Sequence, residues 1–264
     1  MAAAGASPKK PTPGDIQHFI QAIKENKPDL LKEALAAGVD VNTPIPFSKG
    51  DKIPDISESF RKSPLAWAGM QGHDALVRIL LQQGASAQAT DPVQQTLLHW
   101  VCQYNIPHAV AIATLLIETH HGANVNALDF KGENPLFWLA ARENSNNKES
   151  VELARYLISK QSQTNIADPE PNRNTPLLLA ISNGNAEMAT LLLNEGKADP
   201  NLANQEGQTP LHAAVMVCES VIPLLLEKGA KMAKDGNGMT PVEYAEFVGS
   251  SAFENKAPNR RKKI

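Results

Sequence analysis

The chain has 264 residues, room for one or two compact domains or one elongated array. Hydrophobic residues make up 42% and aromatic residues only 5%, so the apolar content is mostly Ala, Leu, Val and Ile, which suits packed helices and argues against a sheet sandwich. With 25 basic and 28 acidic residues the net charge is −3, which excludes a general nucleic-acid coat and gives no pull toward an anionic membrane.

Residues 1–14 combine small residues, lysines and prolines without an apolar segment, and read as a flexible tail rather than a signal peptide. From Ile16 to Asn42 the run DLLKEALAAGVDVN predicts a helix ending at a glycine, half of a unit that recurs further on. Residues 43–62 are proline-rich and read as a long loop. At Ser63 a pattern begins that returns at Thr96, Asn134, Thr175, Thr209 and Thr240: Ser, Thr or Asn, then Pro or Leu, then Leu or Val. The polar residue caps a helix and proline fits its first turn, where a missing N–H costs nothing.

A leucine-rich run follows each of the first five starts: Ile79–Leu81, Leu115–Ile117, Tyr156–Ile158, Leu191–Leu193 and Leu224–Leu226. Gly84, Gly122, Gly196 and Gly229 come next and are expected to end these helices in the left-handed conformation. A further polar stretch, such as NLANQEGQ before Thr209, suits a hairpin-like turn. Two repeats carry extra residues between their helices, around Tyr104 to His108 and Asn144 to Glu149. The longest apolar stretch, Ala109 to Ile117, is too short to span a membrane. Residues 255–264 are a basic tail whose RRKK run reads as solubilising or as a nuclear address.

These elements resemble the ankyrin-repeat family: TPLH at Thr209, GANVN at Gly122, GKADPN at Gly196, GVDVN at Gly38, and Gly132 and Gly207 in the turns. The resemblance covers about Asp15 to Glu254. It implies an all-α solenoid of helix pairs with projecting β-hairpin-like fingers, capped at both ends. The domain then runs 15–254, with an N-terminal cap at 15–42, a long first finger at 43–62, repeats starting near 63, 96, 134, 175 and 209, and a C-terminal cap at 240–254 whose outer face should be polar. It also implies that His99 and His212, fourth in their starts, brace the neighbouring finger.

Trp67, Trp100 and Trp138 each stand four residues after a start. One recurring core position is the first reading, and a ligand ladder the alternative. His99 and Cys102 lack the partners a zinc set needs, and the chain has no nucleophile elbow, phosphate loop or zinc-protease motif. No catalytic residue, metal or cofactor is expected.

The family's partner-binding face, mapped by register, places finger tips at Phe60 and Lys62, Val93 and Gln95, Phe130, Lys131 and Glu133, Asn172 and Asn174, and Gln205 and Glu206. Its helix positions are Met70 and Gln71, Gln103 and Tyr104, Arg142, then Met216 and Val217. Exposed aromatic, Met and Arg side chains are the types that anchor interfaces. The expected function is that of a monomeric, cytoplasmic adaptor binding another protein, with no membrane or nucleic-acid partner. Two alternatives stand beside it. Irregular repeats and the ENSNN stretch resemble ankyrin proteins that intracellular bacteria deliver into host cells, and Asn42 and Asn126 resemble asparagines hydroxylated in other ankyrin arrays.

Overall fold

In a computed structural model, the described residues are 10–46, 58–104, 106–120, 122–142, 148–168, 172–250 and 252–253. Most of the long first finger, the ENSNN stretch and the basic tail lie outside them. Helices begin where polar caps stand. Ser63, Asn134, Thr175 and Thr240 each accept a backbone N–H three residues on, and proline follows each cap. Such a cap contributes about 1 kcal/mol.

The chain forms two compact units, residues 1–127 and 128–264. The first contains α1 (Pro13–Lys24), α2 (Pro28–Ala36), the one-turn α3 (Glu58–Arg61), α4 (Pro64–Met70), α5 (Asp74–Gln82), α6 (Leu97–Gln103) and α7 (Ala109–Glu118). Helix α4 packs between α1 and α6, and α5 between α2 and α7, so each pair is covered by its neighbours in two layers. Phe19, Leu31, Leu80, Leu98, Ile112 and Leu116 fill the space between them and are fully buried.

The second unit contains α8 (Pro135–Ala141), α9 (Lys148–Ser159), α10 (Pro176–Ser182), α11 (Ala186–Asn194), α12 (Pro210–Val217), α13 (Ile222–Glu227) and α14 (Pro241–Val248). Helix α10 lies between α8 and α12, α11 between α9 and α13, and α14 closes against α12. Among the described residues every regular element is helical, and none is long and apolar enough to cross a membrane.

Three expectations are corrected. The first helix starts before residue 15: Thr12 accepts from the Asp15 N–H, and Asp15 accepts the Thr12 N–H in return, a reciprocal cap hidden in the presumed tail. Gly84 and Gly229 do take positive φ, but Gly122 and Gly196 do not; the left-handed residue near Gly196 is Lys197. Glycine is required at those two places by close approach, since a Cβ would run into the Ile117 carbonyl oxygen at Gly122 and stand 2.8 Å from that of Leu192 at Gly196. The outer face of α14 is not wholly polar either: Glu243 and Glu246 are exposed, and so are Phe247 and Val248.

Candidate partner-binding surface

From Asp91 onward each described finger is built on one acidic or amide side chain. Asp129 Oδ1 accepts the N–H groups of Lys131 and Glu133, both at 2.9 Å, while its own N–H donates to the Glu133 carbonyl. Asp91, Asn204 and Asp235 repeat this arrangement five residues before their helix starts, and Asp168 takes the role from seven residues before Thr175. The side chain satisfies turn amides that would otherwise need water, so the finger holds its shape with little sheet pairing.

In the second unit consecutive fingers are joined by backbone bonds. Gln205 N–H donates to the Asn172 carbonyl at 2.8 Å, and Gly236 N–H to the Glu206 carbonyl at 2.7 Å. His212 adds a side-chain link: its Nδ1 accepts the Thr209 N–H at 3.2 Å, and its Nε2 donates to the Met239 carbonyl at 3.1 Å in the following finger. Glu243 replaces histidine in the last start and accepts the Thr240 N–H. His99 accepts the Thr96 N–H in the same way.

A profile described as ankyrin repeats (3 copies) matches residues 19–129, 65–168, 110–203 and 137–235, nearly the whole chain. The chain belongs to the ankyrin-repeat family. It is 28% identical over 215 residues to a putative palmitoyltransferase of Danio rerio, covering 81% of this chain and 30% of that protein. It is 29% identical over 168 residues to the B-cell lymphoma 3 protein homolog of Mus musculus, covering 64% of this chain and 36% of that protein. This ankyrin-repeat chain thus spans about a third of the length of the curated relatives it matches. Its fold matches the crystal structure of the ankyrin repeat domain of Bcl-3 with a TM-score of 0.65 at 21% identity, covering 92% of this chain and all of that one.

On this ankyrin-repeat frame the expected surface residues separate. In the first unit Val93 is exposed at a finger tip and Lys62 is exposed in an ion pair with Glu58 at 2.7 Å. Gln71 and Gln103 are half-buried. Phe60 and Met70 are corrected: both are only 5% exposed, because α3 lies on α4 and every residue of α4 is enclosed between α1 and α6. Gln95 is also buried, its N–H tied to Asp91. Tyr104 is half-buried and stacks on Trp100 with ring centres 5.7 Å apart. Trp67 and Trp100 are core residues and Trp138 is half-buried, which favours the packing reading over a ligand ladder.

In the second unit Phe130 is 59% exposed, with the Lys131 ammonium 5.8 Å from its ring centre. Beside it Glu133 is half-buried. Burial first, then the neighbouring carboxylates Asp129 and Asp168, push the Glu133 carboxyl above its ordinary pKa. Burial raises Asp168 as well. Asn172, Gln205 and Glu206 are exposed at the tips, and Asn174 is half-buried with its N–H on Asp168. Arg142 is half-buried and donates to the Ser150 hydroxyl, while Met216 and Val217 are 56% and 53% exposed.

Phe247 and Val248 were missed, although the same register finds them: they stand seven and eight residues after Thr240, as Met216 and Val217 do after Thr209.

Proposed function

We propose that the chain is a non-catalytic scaffold that recognises a partner protein through its finger tips and the C-terminal ends of its first helices. The observation that carries this reading is Phe130, a large ring left in water at the tip of a finger whose backbone Asp129 already fixes. A preorganised finger loses little conformational entropy on association, so the exposed ring can anchor an interface. The unmodified chain and a Phe130→Ala, Lys131→Ala variant, each used to capture proteins from the native cell, should differ in one partner. Its loss, at about 2 kcal/mol of binding free energy and with an unchanged melting temperature, is the expected result. An identical captured set from both chains overturns the reading.

The scaffold is proposed to act as a monomer in the cytoplasm, a setting that suits two cysteines, Cys102 and Cys218, buried as free thiols. A second reading, as substrate of an asparaginyl hydroxylase, is favoured by Asn42, which is exposed on a turn whose amide is held by Asp40 at 2.9 Å. Incubation with such an enzyme and its co-substrates should add the mass of one oxygen atom. An unchanged intact mass removes this reading.

A further inference from the structure

In the second unit the helix ends seven and eight residues after each start form one register, and its members behave differently along the unit. At α8 and α10 those places hold Ala141 and Arg142, then Ser182 and Asn183. Two of the polar members are occupied internally: Arg142 donates to Ser150, and the Asn183 amide donates to the Ala141 carbonyl at 3.1 Å, while Ser182 is exposed. At α12 and α14 the register turns apolar. Met216, Val217, Phe247 and Val248 are 56%, 53%, 77% and 44% exposed.

These four side chains stand at the ends of two helices that pack on each other. Tyr244 Oη donates to Met216 Sδ at 3.1 Å, which holds the middle of α14 against the end of α12. Beyond α14, Gly249 turns the chain and Ser250 Oγ donates to Glu219 Oε1 at 2.5 Å, fixing that segment beside the turn that follows α12. Among the described residues of α12, α14 and the turn after α12, the charged side chains have one sign. Glu219, Glu243 and Glu246 are exposed, and residues 209–226 and 240–253 contain no Lys or Arg. Lys234, from the preceding finger, acts on Glu243 at the far end of α14.

We propose that the Met216–Val217–Phe247–Val248 edge docks a cationic amphipathic helix of the partner protein, a reading that rests on the scaffold function above. Packed helices lie 8–10 Å apart, so the two apolar rows match the rise of about 10 Å between residues i and i+7 of a docked helix. Its apolar stripe covers the four side chains, and Lys or Arg beside the stripe faces Glu219 and Glu246. An extended segment would need an open strand edge for backbone pairing, and the described residues of this unit form no strand.

The test uses three synthetic helical peptides of about 18 residues with one leucine face and a polar face of Lys, Glu or Gln. Their affinities for the full chain are read by fluorescence anisotropy. The Lys peptide should bind at least about ten-fold tighter than the Glu peptide. A Val217→Ser, Phe247→Ser variant, which leaves the Tyr244–Met216 bond in place, should lose that binding with its melting temperature kept. A Glu246→Lys variant, altered at an exposed side chain outside the Ser250–Glu219 bond, should lose the preference for the Lys peptide over the Glu peptide.

Equal affinity for all three peptides overturns the proposal, as does indifference to both variants. A concentration-dependent dimer dissolved by Phe247→Ser would assign the edge to a second copy. Tighter peptide binding after deletion of residues 255–264 would assign it to the chain's own basic segment. Either result overturns the proposal. Capture of a cellular partner that depends on Phe130 but not on Phe247 keeps the scaffold function and removes this docking site.

Discussion

Phe130 and Tyr104 are both aromatic residues of the expected binding face, yet their surroundings give them different work. Phe130 is 59% exposed with the Lys131 ammonium 5.8 Å from its ring centre, whereas Tyr104 is half-buried and stacked on the core residue Trp100. Replacing Phe130 therefore changes binding alone. Tyr104→Ala should instead lower stability by about 1 kcal/mol, since an aromatic pair contributes beyond its buried area, and urea denaturation will show it. An unchanged midpoint would return Tyr104 to the binding surface. Glu133 supplies a pH signature. Its carboxyl is raised, first by burial and then by Asp129 and Asp168, so the folded state holds a proton that the unfolded chain gives up at lower pH. Stability contributed by this group is therefore lost as pH rises from the ordinary carboxylate range through the raised value. Glu133→Gln keeps the shape of the side chain and removes the charge. The variant should melt above the unmodified chain at neutral pH, with the two curves converging below the ordinary carboxylate pKa. A difference that persists in acid would assign the effect to packing.

At the scale of the element, the finger and the helix it feeds form one hydrogen-bonded piece. His212 connects the cap of α12 to the Met239 carbonyl, and Asp235 Oδ1 holds the Asn237 and Met239 amides of that finger. His212→Ala leaves the Thr209 N–H and the Met239 carbonyl without this partner in a buried place, a loss of about 3 kcal/mol. Amide exchange at Asn237 and Met239 should accelerate with it, and protection equal to that of the unmodified chain would show that the histidine link is dispensable. The helix starts were legible in sequence because capping is local: a Thr, its proline and the N–H it receives lie within four residues. The reciprocal cap of Thr12 and Asp15 was equally local, but it stands beside small and charged residues that look like tail. The finger carboxylates carried a signal too, an Asp or Asn five residues before a start, although Asp168 sits seven before its own. Phe60 and Met70 were not legible. Register places them on the binding face, and only the packing of α3 and α6 around α4 shows that they are covered.

For the whole molecule, stability in a repeat chain comes from neighbour covering neighbour, so the last helix of a unit answers for the one before it. Helix α14 covers α12, where Leu211, His212 and Val215 are buried, and closes the second unit. A family cap needs a polar outer face to end the stack in water, and α14 supplies one at Glu243 and Glu246 while leaving Phe247 and Val248 exposed in its last turn. Closing the stack and presenting an apolar edge are therefore separable along a single helix. A chain ending at Lys234 loses the cover of α12 and should self-associate in size-exclusion chromatography, with an early, less cooperative melt. Phe247→Ser removes only a side chain already in water, so that variant should stay monodisperse and melt with the unmodified chain. A truncated chain that remains monodisperse with full stability would show that α12 needs no cover. Association or early melting of the Phe247→Ser chain would show that this ring serves the fold, and the apolar turn of α14 would then belong to the cap.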